Sequence, residues 1–62
     1  MQIELNNFIK LKKLASTGGQ AKLLIRSGKI LVNSLVETRN RKKLVDGDKI
    51  TFEGKIFLVN DS

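Results

Sequence analysis

The 62-residue chain contains no cysteine, no histidine, no tyrosine and no tryptophan. Without cysteine there is no disulfide framework, and without histidine the usual zinc-binding spacings are gone too. The same absences remove most nucleophile and base chemistry, because nothing beside the serines and threonines is suited to activate a hydroxyl. No catalytic residue, metal or cofactor is therefore expected. Asp46, Asp48 and Glu53 gather near a turn, but their spacing fits no calcium loop, and turn and strand-end roles account for them better. Apolar runs are also short. The longest, Ile56 to Val59, has four residues, whereas a secretory signal needs ~7–15 and a membrane span ~20. No membrane partner or small-molecule substrate is expected, and the chain reads as an intact cytoplasmic protein and a monomer.

Aromatic residues are limited to Phe8, Phe52 and Phe57. Proteins that hold unstructured strands often stack bases on exposed rings. Here Phe8 and at least one other ring are needed inside, because a chain this short buries only ~60% of its unfolded surface and needs every large apolar group for its core.

What the chain has is unevenly placed positive charge. The net value is +6. Residues 1–21 carry +2, residues 22–43 carry +6 from seven basic residues and one glutamate, and residues 44–62 carry −2. Charge that only kept a protein soluble would be spread more evenly, and concentration of this kind points to a polyanionic partner.

Hydrophobic periodicity sets the expected order. Gln2 to Leu5 alternates as a short edge strand. Asn6 or Asn7 is a candidate cap for a helix over about 8–15 whose apolar face is Phe8, Leu11, Leu14 and Ala15. Ser16-Thr17-Gly18-Gly19 breaks that helix. Thr17 and Gln20 have capping-box spacing for a second helix over about 19–27, with Ala21, Leu24 and Ile25 facing inward and Gly28 as its stop. From Lys29 the period changes to two. Lys29 to Val32 is a strand, Asn33-Ser34 a tight turn and Leu35-Val36 the return strand. Residues 37–43 carry no apolar side chain and form a surface loop. Leu44-Val45 re-enters the core, Asp46-Gly47 turns, and Lys49–Phe52 with Lys55–Val59 makes a hairpin around Glu53-Gly54. The inward side of that hairpin is ambiguous, since both faces carry apolar residues, and residues 60–62 are expected to fray. The fold class is α+β: two short helices on a small, mostly antiparallel sheet in the order β-α-α-β-β-β, all one domain.

Gly18-Gly19-Gln20-Ala21-Lys22, Ile25, Ser27-Gly28, Ile30, Val32-Asn33, Val36, the basic loop and Val45-x-Gly47-Asp48-x-Ile50 occur in an order and spacing that is familiar. Over about residues 3–59 the chain resembles the RNA-binding domain named after ribosomal small-subunit protein four, and most closely its short stand-alone bacterial members. The resemblance implies an alpha-L RNA-binding motif, in which two helices and a β-hairpin frame one RNA-contacting surface. Many relatives carry an arginine near the start of the second helix. Here Gly19-Gln20 stands there, and Lys22 is the candidate substitute.

The densest candidate site is Arg39-Asn40-Arg41-Lys42-Lys43, four cations in five residues. Guanidinium meets phosphate in paired planar geometry and ammonium meets it as a point charge. Lys22, Arg26 and Lys29, spaced four and three apart, form a second candidate stripe if the helix reaches far enough. Lys10, Lys12 and Lys13 would extend the field. Thr17 and Gly18 would offer free N–H groups to a phosphate, although a tight interhelical turn explains those small residues at least as well. The expected partner is structured RNA, with ribosomal RNA as the candidate, gripped by phosphate and 2′-hydroxyl with little base reading. Two other readings remain open: a protein-interaction module whose basic loop meets an acidic partner in a ribosome-associated complex, and a DNA-binding domain resembling a helix-turn-helix.

Overall fold

The computed structural model describes residues 2–60; of the expected frayed end, residues 61 and 62 lie outside the described residues. The elements run β1 (Gln2–Glu4), α1 (Leu5–Leu11), α2 (Gly18–Arg26), β2 (Ile30–Val32), β3 (Leu35–Val36), β4 (Lys43–Val45), β5 (Lys49–Phe52) and β6 (Lys55–Leu58). The class is α+β, as the sequence predicts. The single sheet expected from sequence is instead two antiparallel sheets, a β1–β4 pair and a four-stranded sheet in the order β3-β2-β5-β6. Strand β1 is drawn to β4 because Ile3 pairs with Leu44, which is fully buried, in the register Gln2–Val45, Ile3–Leu44, Glu4–Lys43.

Helix α1 starts and ends earlier than its apolar spacing predicts. No asparagine caps it: Glu4 occupies the cap position and its side chain makes no capping bond. Its free N–H groups are met by distant backbone, with Leu5 N donating to Lys42 O at 2.7 Å and Asn6 N to Asn40 O at 3.0 Å. Starting at Leu5 turns the buried face to Leu5, Phe8 and Ile9, which leaves Leu11 58% exposed. Lys13, at φ 61°, reverses the chain, and Lys13 N and Leu14 N bond back to Lys10 O and Ile9 O. That is the double bond pattern that commonly ends helices, here with lysine in the left-handed position.

Helix α2 follows the sequence reading closely. Thr17 Oγ1 accepts from Gln20 N at 3.1 Å. The Gln20 side chain does not complete a capping box; its Oε1 accepts from Ser16 N and Ser16 Oγ instead. Ala21 and Ile25 are fully buried and Leu24 packs beside them. Gly28, at φ 78°, ends the helix, with Lys29 N bonding to Leu24 O.

The β2–β3 turn places both Asn33 (φ 52°) and Ser34 (φ 71°) in the left-handed region, as a two-residue hairpin turn requires. Serine is strained there. Ser34→Gly is expected to stabilise the fold by about 1 kcal/mol, or roughly 4–8 °C in a domain of this size. A thermal melt followed by circular dichroism checks it, and an unchanged or lower midpoint would count against the strain.

The core is one cluster drawn from both helices and both sheets, with Leu5, Ile9, Ile25, Ile30, Leu44, Ile50 and Val59 fully buried. Phe8 is buried, and Phe52 and Phe57 pack against the cluster. The inward side of the last hairpin is thereby resolved: Ile50 and Phe57 face each other across β5 and β6, while Ile56 is 65% exposed on the outer face. Only Leu44 of the Leu44-Val45 pair enters the core, because successive strand residues alternate faces and Val45 points outward.

An acid lock ties the turns together. Asp48 Oδ1 accepts from Asn33 Nδ2 at 3.0 Å, Asp48 Oδ2 accepts from Val45 N at 2.9 Å, and Asn33 Oδ1 accepts from Lys49 N at 3.0 Å. The bonds from Val45 N and then from Asn33 hold the Asp48 carboxyl below its ordinary range. A carboxyl lowered by folding adds stability in full above its unfolded value of about 3.9, and that stability is lost as pH falls through the folded value. Asp48→Ala is therefore expected to cost about 1–2 kcal/mol at pH 7 and to flatten the acid limb of a melting-temperature profile between pH 6 and 2. An acid limb as steep as wild type would contradict the lock.

Candidate nucleic-acid interface

Residues 37–42 form a segment without regular structure, pinned at both ends. Glu37 N bonds to Ile30 O, and the carbonyls of Asn40 and Lys42 cap α1. The loop that carries the positive charge is thus also the helix cap. The amide oxygens of Asn6 and Asn40 are buried without partners, so backbone bonds rather than these two oxygens set the segment's course.

Arg39, Arg41, Lys42 and Lys43 surround one hollow of about 430 Å³. Strand β4 fixes Lys43 and the α1 cap fixes Lys42. The two arginines are each held by a carboxylate. Arg41 Nη2 lies 3.1 Å from Glu4 Oε2, and Arg41 Nε bonds to both oxygens of Glu4. Arg39 Nε donates to Glu37 Oε2 at 2.8 Å and its Nη2 to Glu37 Oε1 at 3.2 Å, while Arg39 N also reaches Oε2 at 3.1 Å. These bonds from Arg39 hold the Glu37 carboxyl below its usual range. Exposed pairs of this kind add little stability. Their effect is to fix the planes of two otherwise floppy guanidinium groups, which still face solvent with side chains 71% and 78% exposed. Glu4 and Glu37 are functional neighbours that charge counting overlooks. Glu37 was discoverable as the acid two residues before Arg39; Glu4 lies 37 residues from Arg41, and nothing in the sequence pairs them.

The other candidate cations sit elsewhere. Lys22 and Arg26 lie one turn apart on the exposed face of α2 and do not line the hollow. Lys29 does not continue their stripe, because Gly28 turns the chain out of the helix before it. Lys12 Nζ stands 5.6 Å from the centre of the Phe8 ring, within cation–π range. Lys13 occupies the reversal after α1. Lys10 is in the last turn of α1 beside the start of α2: its Nζ is 4.0 Å from where a Cβ on Gly18 would stand. Thr17 is exposed, with its hydroxyl oxygen engaged in capping. The basic loop touches the first turn of α1 and Lys10 lies in its last. A seven-residue helix spans about 10 Å, comparable with the ~8–10 Å screening length at physiological salt, so the two fields overlap.

Two helices beside β-hairpins, with four cations around one hollow, make a small α+β module with an anion-receptive face; no grouping of three or more potential metal ligands occurs among the described residues. Among the described residues no helix is long and apolar enough to cross a membrane. Comparison with known proteins gives the family. The S4 domain model matches residues 1–60, and the chain belongs to the S4 domain family. It is 40% identical over 52 residues to YbcJ of Escherichia coli (strain K12), a match covering 84% of this chain and 74% of that protein. Against the probable ribosome maturation protein RlbA of Bacillus subtilis (strain 168) it is 36% identical over 52 residues, covering 84% and 73%. The solution structure of Escherichia coli YbcJ, described as revealing an alfaL motif involved in RNA-binding, superposes with a TM-score of 0.66 at 38% identity, covering 90% of this chain and 71% of that one.

Proposed function

We propose that this chain is a non-catalytic, single-domain RNA-binding protein that grips structured RNA, ribosomal RNA or its assembly intermediates in particular, through the hollow of Arg39, Arg41, Lys42 and Lys43. The observation that carries the reading is the gathering of four cations around one concavity with two guanidinium planes fixed in advance. Preoriented forks suit phosphate oxygens, and preorganisation lowers the entropy cost of binding. The RNA-binding motif described for YbcJ and the ribosome maturation name of RlbA support both the partner and its ribosomal setting. Lys22, Arg26 and Lys29 are secondary contacts outside the hollow, and Lys10, Lys12 and Lys13 with Thr17 and Gly18 are further contacts. Phe8 is buried and Phe52 and Phe57 are partly buried against the core, so none of the three rings is a fully exposed platform for an unstructured strand.

The test is direct competition among a stem-loop RNA, an unstructured RNA of equal length and duplex DNA. The stem-loop is expected to bind at least about tenfold tighter than the other two, with affinity falling steeply as salt rises. Duplex DNA outcompeting the stem-loop would favour the helix pair as a DNA reader. Partners that survive nuclease treatment while no RNA is retained would favour a protein-interaction module.

A further inference from the structure

We propose that a second hollow, between the β2–β3 hairpin and the basic loop, takes one unstacked base of the bound RNA, guanine in preference to the others; this rests on the RNA reading above. The hollow has a volume of about 260 Å³. At ~30 Å³ per water that is the volume of roughly nine waters, which is more than enough room for one bicyclic base. Arg39 and Lys42 line both this hollow and the cationic one. A phosphate seated on the basic loop therefore has this recess beside it.

Its chemistry differs from that of its neighbour. Val32 and Leu35 give it an apolar wall, and Glu37 and Asp48 bring two carboxylates. With Arg39 and Lys42 balancing the two carboxylates the lining carries no net charge, so a phosphate gains less there than in the cationic hollow. A flat, neutral group with hydrogen-bond donors on its edge suits it better. Leu35 is 73% exposed at the end of the hairpin, an apolar side chain left in water beside a recess that a ring would cover. With Phe8 buried, Phe52 and Phe57 packed against the core and none of the three lining this hollow, the planar partner for a base is the Arg39 guanidinium, which Glu37 holds through Nε and Nη2. Unstacked RNA bases stack on arginine planes as well as on rings.

The carboxylates set the preference. Ionised carboxylates only accept, and each has about four lone-pair sites. Glu37 takes three bonds from Arg39 and Asp48 takes one on each oxygen, so both keep acceptor capacity. Guanine presents two neighbouring donors, N1–H and the N2 amino group. Uracil presents one, and adenine and cytosine set an acceptor next to their amino group, which a carboxylate repels.

The experiment uses the full chain and five stem-loop RNAs of one stem, carrying a single unpaired G, A, U or C or none, titrated by fluorescence anisotropy. The G-bulge RNA is expected to bind roughly tenfold tighter than the A-bulge, C-bulge and unbulged RNAs. Glu37→Gln is expected to bring the ratio of G-bulge to unbulged affinity to within about twofold, a ratio in which any general loss from the freed Arg39 cancels. Equal wild-type affinity for all five RNAs overturns the pocket and leaves the RNA reading standing, without dependence on any variant's folding. Failure to bind any of the five overturns the RNA reading and the pocket with it.

Discussion

Alanine at Arg39, Arg41, Lys42 and Lys43 together is expected to weaken stem-loop RNA binding by about a hundredfold at physiological salt, since roughly threefold per phosphate-facing cation compounds over four sites. Folding should survive. The two guanidinium–carboxylate pairs lie at the surface, where such pairs contribute little, and the capping bonds from Leu5 N and Asn6 N use the backbone carbonyls of Lys42 and Asn40, which alanine retains. A melting midpoint within a few degrees of wild type, beside the lost affinity, separates contact from collapse. Alanine at Lys22 and Arg26 should produce a smaller loss, because neither lines the hollow.

Leu44→Ala is expected to have the largest effect on the fold. Leu44 is fully buried in β4 opposite Ile3, and a buried Leu→Ala change costs about 2.7–5 kcal/mol. A 62-residue chain holds only ~3–9 kcal/mol in total at ~0.05–0.15 kcal/mol per residue. The midpoint should therefore fall by at least about 10 °C, with a sizeable unfolded fraction at 37 °C. The consequence reaches the site, because β4 follows the basic loop directly and loosening it frees the carbonyls that cap α1. Val45→Ala, on the exposed face of the same strand, should change stability by less than about 1 kcal/mol. Equal effects at the two positions would place the core wrongly.

The contrast between the two helices shows what was legible in the sequence. Helix α2 carries its own boundary signals, Thr17 at its start and Gly28 at its stop, and both act locally. Helix α1 has no local start signal. Its first N–H groups are satisfied by carbonyls more than thirty residues away, so spacing alone set it three residues too late and put Leu11 on the wrong face. The β1–β4 pairing was hidden for the same reason, since a three-residue strand does not name its partner. The positive loop was legible as charge. Its geometry was not, because Arg41 is oriented by Glu4, from the other end of the chain. The Lys22–Arg26–Lys29 stripe failed at its last member because the left-handed turn at Gly28 interrupts helical spacing.

The slope of log affinity against log salt tests the central claim most directly, measured for wild type and the four-alanine variant on one stem-loop RNA. Cations that displace counterions from phosphates each contribute about 0.7–0.9 to that slope. If the 39–43 hollow is where the RNA backbone lies, the variant's slope should be shallower than wild type by about three. Parallel lines of equal affinity would show that RNA, if it binds, binds elsewhere on the molecule.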